Sequence, residues 1–249
     1  MLTETRLNEI LRLVNEQKSI TVLEITKRLQ ASESTVRRDL TLLQKRGLLK
    51  KVHGGATSLE FGYTAKDDDV SLRMDLNREE KIRIAKYAAG LIRDNDFAYL
   101  DAGTTTELLI DYIEAGNAAF VTNGIIHAKK LAQRGFKAYM LGGELKASTE
   151  AVIGADTIAL LDRYHFTKGF FGTNGVSIAN GFTTPEVNEA AVKRKALEQT
   201  KDRYVLCDAS KFNKISPVSF WNFEYATIIT TGLSDKTYLE SKNVIEITE

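Results

Sequence analysis

Ser32-Glu33-Ser34-Thr35-Val36-Arg37-Arg38-Asp39-Leu40, continued through Leu43 to Gly47, reads as a capped amphipathic helix with a cationic outer face. Ser32 is a natural N-cap and Gly47 a natural stop. Val36, Leu40 and Leu43 fall on one side, at i, i+4 and i+7. Ser34, Arg38, Thr41 and Lys45 fall on the other, flanked by Arg37 and Gln44. Hydroxyls, an amide and guanidinium groups on an exposed face suit nucleic acid, since Arg can bond both acceptors of a guanine edge. The start of such a helix points into the major groove, so Ser34, Arg37 and Arg38 are expected nearest the bases. Thr35 and Lys45 are expected at phosphate. Asp39 would be repelled by phosphate and is expected to brace a nearby Arg or Lys. A cationic face alone is also what a solvated helix shows, so its neighbours decide.

Upstream, Leu7, Ile10, Leu11 and Val14 predict a first helix over Glu4 to Gln17. Thr21 with Glu24 three residues later is a capping-box pattern. The helix it opens has Leu23, Ile25 and Leu29 as its apolar positions, and Gln30-Ala31-Ser32 is a short turn. Downstream, Leu48 to His53 reads as a strand and Gly54-Gly55 as a turn, placing Lys50, Lys51 and His53 on a basic wing. Three helices and a short hairpin outline a winged helix-turn-helix, with Ser34, Thr35, Arg37, Arg38, Thr41, Lys45, Lys50, Lys51 and His53 as its contacts to double-stranded DNA. Charge agrees: residues 1–60 hold 11 Lys/Arg against 7 Asp/Glu, whereas the rest hold 23 against 26.

Residues 57–70 are polar and aperiodic and read as a linker between a domain over 1–56 and one over 71–249. A long helix is expected over Leu72 to Arg93. Short apolar strands then alternate with helices: strands at Phe97–Leu100, Ala119–Thr122, Ala138–Leu141, Phe166–Phe171, Arg203–Cys207 and Thr227–Thr231, with helices at Ile125–Arg134, Ile153–Arg163 and Pro185–Thr200 among them. That alternation predicts an α/β sheet covered on both faces. Asp101-Ala102-Gly103-Thr104-Thr105-Thr106 sits where the first strand turns into a helix. Unpaired amides at a helix start, a glycine and three hydroxyls make a phosphate cradle, although an ordinary capped turn has the same outline. It is not a P-loop, which needs a different spacing and a lysine. Further Gly/Asn/Thr clusters end other strands: Thr122-Asn123-Gly124, Leu141-Gly142-Gly143-Glu144, Gly172-Thr173-Asn174-Gly175 and Asp208-Ala209-Ser210-Lys211. Open α/β sheets bind ligands beyond their carboxyl edge, so these clusters together point to a pocket including Gly143. Lys193 and Lys211 are candidate counter-charges.

The stretch 32–40, with Leu43, Gly47 and Val52-His53-Gly54-Gly55-Ala56, resembles the DeoR family of bacterial transcription regulators, over residues 5 to 56 and with its spacing throughout. The resemblance implies operator binding, usually as repression of sugar-catabolic operons. Residues 78 to 211 resemble the sensor domain of that family, which has a fold like the sugar-phosphate isomerases. This implies that Gly103, Thr104, Thr105 and Thr106 hold a phosphate and that Asp101, Asn123, Asn174 and Lys211 line a sugar site. Within the family, residues 166–175 and 181–185 look most like the fructose-operon repressors, which implies fructose 1-phosphate as effector. Tagatose 6-phosphate, sensed by lactose-operon repressors, is the alternative.

No catalytic residues are assigned. Asp101, Glu144, Glu186 and Asp208 show no spacing that singles out a general base, so a catalytic isomerase-like sensor is the weaker reading. His127 and His165 lack metal-ligand partners at useful spacing, so neither a metal nor another cofactor is expected. Cys207 is the single cysteine and excludes an internal disulfide. No apolar run approaches the ~18 residues of a membrane span, and Met1 to Arg6 lacks a secretion-signal pattern, so a cytoplasmic protein is expected. A homodimer or homotetramer would place recognition helices on paired half-sites. A DNA-binding protein triggered by another protein is a third reading, which leaves the cradle without a role.

Overall fold

The computed structural model describes residues 3–17, 19–45, 48–52, 54–58, 62–63, 74 and 76–248. His53, Arg46 and Gly47 lie outside the described residues, as does most of the expected linker. The chain divides into two compact units, Met1–Gly62 and Tyr63–Glu249.

In the first unit, helices α1 (Thr3–Gln17), α2 (Val22–Leu29) and α3 (Glu33–Lys45) accompany strands β1 (Ser19–Thr21), β2 (Leu49–Val52) and β3 (Gly55–Ser58). The strands form one antiparallel sheet in the order β1-β3-β2. The capping box is present, Glu24 N–H donating to Thr21 Oγ1 and Thr21 N–H to Glu24 Oε2. Leu7, Ile10, Leu13, Val14, Val22, Ile25, Val36, Leu40 and Leu43 form the core. Two expected core positions shift: Leu23 is exposed and Val22 is buried in its place, while Leu11 only flanks the core and Leu13 enters it. Helical geometry explains the first change, because Val22 shares a face with Ile25 at i+3 and Leu23 points about 100° away.

The second unit is built on a seven-stranded, wholly parallel sheet. In chain order its strands are β4 (Phe97–Leu100), β5 (Ala119–Thr122), β6 (Lys137–Met140), β9 (Phe166–Gly172), β12 (Thr200–Leu206), β14 (Thr227–Thr231) and β15 (Val244–Ile247). Their spatial order is β15-β14-β12-β9-β4-β5-β6. Alternation along the strands feeds two cores. Ala98, Leu100, Phe120 and Phe170 face α4 (Arg78–Ala89), α5 (Thr104–Asp111) and α6 (Ile125–Gln133), whereas Tyr99, Val121, Phe171 and Val205 face α7 (Ala155–Leu161) and α8 (Val187–Glu198). Small antiparallel pieces lie off the main sheet: β7 (Glu144–Lys146) with β8 (Ala151–Ile153), and β10 (Gly175–Ser177), β11 (Gly181–Thr184) and β13 (Val218–Trp221) together.

Some boundaries differ from expectation. α4 begins at Arg78 because Asn77 stands in the left-handed region (φ 54°), which a helix cannot pass through. Ile153, expected to open a helix, ends strand β8 instead. Among the described residues no helix is long and apolar enough to cross a membrane.

From β4 the chain steps outward one way through β5 to β6, then returns to the other side of β4 as β9 and proceeds the opposite way. The sheet therefore reverses between β4 and β9. Their carboxyl ends, Leu100 and Gly172, flank the crevice where such sheets take ligands.

Candidate functional site

A cavity of about 360 Å³ opens at this reversal point. Gly103, Thr104, Thr105 and Thr106 form one wall, Thr173 and Asn174 another, and Asp208, Ser210 and Lys211 a third. Lys81, from the first turn of α4, completes it. No side chain caps α5, so its first amides have no partner from a capping group. Thr104 and Thr105 are only 9% and 8% exposed, and among the described residues their hydroxyls make no hydrogen bond within the protein. An oriented set of amides and hydroxyls next to cations can hold an anion.

The Thr106 hydroxyl is committed elsewhere: it donates to the Asp101 carbonyl at 2.6 Å and holds the turn. His127 braces the same turn from α6, its Nε2 lying 3.2 Å from the Gly103 carbonyl and 3.1 Å from Thr106 Oγ1. Burial pushes the imidazole pKa down to about 4, so His127 is neutral at pH 7 and adds no charge to the site. Gly103 has extended backbone, and a Cβ there would come within 3.2 Å of Thr106 Oγ1, so the glycine keeps the turn tight.

Three expected ligand contacts stand behind the wall instead of in it. Asp101 is 1% exposed; its Oδ2 accepts the Gly172 N–H at 3.0 Å and an ion pair from Lys193. Burial pushes its carboxyl above the usual range, against the pull of Lys193 and the Gly172 amide. Asp101 thereby ties β4 to β9 across the reversal, and Lys193 is engaged with it instead of free for phosphate. Asn123 Oδ1 accepts the Ala102 N–H at 2.9 Å and its Nδ2 donates to the Val152 carbonyl at 3.2 Å, so this buried amide fixes the turn. Gly143 (φ +146°) packs where a Cβ would sit 2.2 Å from Thr157 Oγ1 and 2.7 Å from the Ile153 carbonyl. It serves the bend into β7, and the cavity does not include it. Asn174 and Lys211 do line the cavity, as expected.

The remaining cavity carboxylates are engaged. Glu189 accepts from Thr149 at 2.7 Å and Thr184 at 3.3 Å and pairs with Lys146 at 3.1 Å. Asp208 Oδ1 accepts from the Ser210 N–H at 3.0 Å and Asn77 Nδ2 at 2.9 Å. Cys207 is buried at the end of β12, and burial pushes its thiol pKa up.

In the first unit, Ser34, Arg37, Arg38, Thr41, Lys45 and Lys51 share one shallow surface with Leu42. Gln44 Oε1 accepts the Lys51 N–H at 3.0 Å, and Lys51 Nζ donates to Thr41 Oγ1 at 3.0 Å. Recognition helix and wing are thus clamped to each other. The hydroxyls of Ser34 and Thr35 both stand at the start of α3, 3.0 Å and 2.9 Å from Ser32 Oγ. Lys50 is exposed on β2. The expected contact at His53 lies outside the described residues.

Residues 6–61 match the model of the DeoR-like helix-turn-helix domain, and residues 76–232 match that of the DeoR C terminal sensor domain. The chain belongs to the DeoR family. It is 41% identical to the uncharacterized HTH-type transcriptional regulator FruR of Bacillus subtilis, covering 99% of each chain. It is 36% identical to the lactose phosphotransferase system repressor of Streptococcus mutans, covering 96% of each. Among solved structures, ribose 5-phosphate isomerase A from Methanocaldococcus jannaschii shares 17% identity over 55% of each chain, with a TM-score of 0.42. This DeoR-family chain is a DNA-binding transcription regulator with an α/β sensor domain.

Proposed function

We propose that this regulator represses a fructose-catabolic operon and releases its operator when fructose 1-phosphate enters the sensor cavity. One observation carries the reading: the open start of α5, with the buried Thr104 and Thr105, faces a cavity that Lys81 and Lys211 also line. A phosphate fits the amides and hydroxyls, and the polar walls at Asn174 and Asp208 fit sugar hydroxyls. A volume of about 360 Å³ suits a small phosphorylated sugar. The relative named FruR supports fructose.

Ser34, Arg37, Arg38, Thr41, Lys45, Lys50 and Lys51 are assigned to operator DNA. The protein works in the cytoplasm as a homodimer or homotetramer, with residues 1–56 as the DNA-binding domain, 57–70 as connector and 71–249 as sensor. It binds its effector without turning it over, because the cavity carboxylates Glu189 and Asp208 are tied into hydrogen bonds that a general base would have to give up.

Tagatose 6-phosphate is the second reading, favoured by the lactose phosphotransferase system repressors among the relatives. Calorimetry with fructose 1-phosphate, fructose 6-phosphate, tagatose 6-phosphate and fructose separates them. Selective heat from fructose 1-phosphate supports the proposal; selective heat from tagatose 6-phosphate replaces the operon; binding of free fructose as tightly as its phosphate removes the cradle.

A further inference from the structure

Asn77 occupies the residue before α4 in a left-handed conformation that glycine would also accept. Its side chain is engaged far away in sequence: Nδ2 donates to Asp208 Oδ1 at 2.9 Å and to Ser210 Oγ at 3.3 Å, across 131 and 133 residues. Its carbonyl accepts the Lys81 N–H at 3.0 Å, so the same residue anchors the first turn of α4. Leu76, Asn77 and Lys81 line the cavity beside Asp208, Ser210 and Lys211. One amide therefore clasps the cavity's third wall to the start of α4. Toward the N-terminus, the chain from Leu76 is the covalent path back to the helix-turn-helix.

We propose that the Asn77–Asp208 clasp is the relay between the sensor cavity and the DNA-binding domain: closed, it belongs to the operator-binding state, and a sugar phosphate opens it. Asp208 Oδ1 already accepts two N–H groups, so a sugar hydroxyl donating to it competes directly with Asn77. Ligand and clasp then exclude one another. A ligand that favours one of two states in this way shifts the balance between them by its differential affinity. The trigger rests on the sugar-phosphate reading above; the clasp itself does not.

The test uses the full-length chain and a DNA duplex that the parent protein selects from random-sequence DNA, with binding followed by fluorescence anisotropy. Asn77→Asp sets a second carboxylate against Asp208 and breaks the clasp. Its DNA affinity without any sugar phosphate should fall by at least about fivefold, and added fructose 1-phosphate should release little more. Combining it with Asp208→Asn restores a donor and an acceptor and should restore both DNA affinity and release by fructose 1-phosphate. Asn77→Gly, which deletes the amide at a conformation glycine accepts, should match Asn77→Asp and serves if that variant does not fold. A folded Asn77→Asp or Asn77→Gly protein that binds DNA as the parent does overturns the relay. So does a folded double variant that stays weak. If the parent binds no fructose 1-phosphate, the effector reading fails, while the sugar-free DNA arm still decides the relay.

Discussion

Arg6 of α1 grips Asp39 of α3 with two nitrogens, Nε to Oδ2 at 2.6 Å and Nη2 to Oδ1 at 3.2 Å. Asp39 is thereby neutralised from behind and α3 is pinned to α1, while Glu33, the other carboxylate of α3, pairs with Arg37 at 3.4 Å. The fork geometry belongs to arginine and not to lysine. Arg6→Ala should lower the melting temperature of the full-length protein's N-terminal unit and weaken operator binding, although Arg6 is not assigned to DNA. Arg6→Lys should recover only part of either. Calorimetric melting alongside DNA titration checks this, and unchanged values for Arg6→Ala would remove the brace.

Arg38 and Lys45 should separate by the kind of contact each makes. Arg38→Ala should cost about 1–3 kcal/mol on the preferred operator and relax the choice of base at one position. Lys45→Ala should weaken all sequences alike and flatten the salt dependence of binding by about one counterion. Titrations on operator and scrambled duplexes at several salt concentrations read both quantities. A uniform loss for Arg38→Ala would move that residue to the phosphate backbone.

Thr105→Glu places a carboxylate at the mouth of the cradle, where a bound phosphate would meet like charge. Effector binding should be lost by calorimetry while DNA affinity without effector stays at the parent's value. A variant that still responds to the sugar phosphate would put the anion elsewhere.

His127 makes the sensor acid-sensitive in a defined window. Its folded pKa, near 4, lies below the unfolded value of 6.5, so the unfolded chain binds the extra proton first as pH falls. Stability is fully present above the unfolded pKa and declines through the window down to about 4, by up to about 3 kcal/mol. His127→Gln keeps a donor toward the Gly103 carbonyl and removes the titration. Its melting temperature should fall less between pH 7 and pH 4 than the parent's, and parallel curves would rule His127 out as the cause.

The N-terminal unit was legible because its signals are local. Thr21 with Glu24, Ser32, and the spacing of Val36, Leu40 and Leu43 each act within a turn or two of chain, and no distant contact overrides them. The strand-to-helix turn at 101–106 was legible for the same reason, since a strand running into Gly103 and three threonines places open amides there. What the sequence could not reveal depends on packing across the chain. Lys81 sits on a helix whose residues carry no motif of their own, and only the return of residues 208–211 makes it part of a wall. Asn123 and Asp101 are the right polar types at the right strand ends, but their partners Val152, Gly172 and Lys193 lie 29 to 92 residues away and turn them inward. The antiparallel strands at 175–177 and 181–184 are short and rich in Gly and Thr, and no strand is expected there from the sequence.

The reversal between β4 and β9 also sets an order of events during synthesis. The cradle at 101–106 is translated early, but its opposite wall is Gly172 to Asn174, and the strand that follows on that side ends at Leu206. A nascent chain halted before residue 172 carries the complete helix-turn-helix sequence and both partners of the Arg6–Asp39 brace, yet only half of the sugar site. Long-range parallel pairing closes late because the loop entropy must be met first. The DNA reader is therefore complete in the emerging chain well before the part that answers to metabolism.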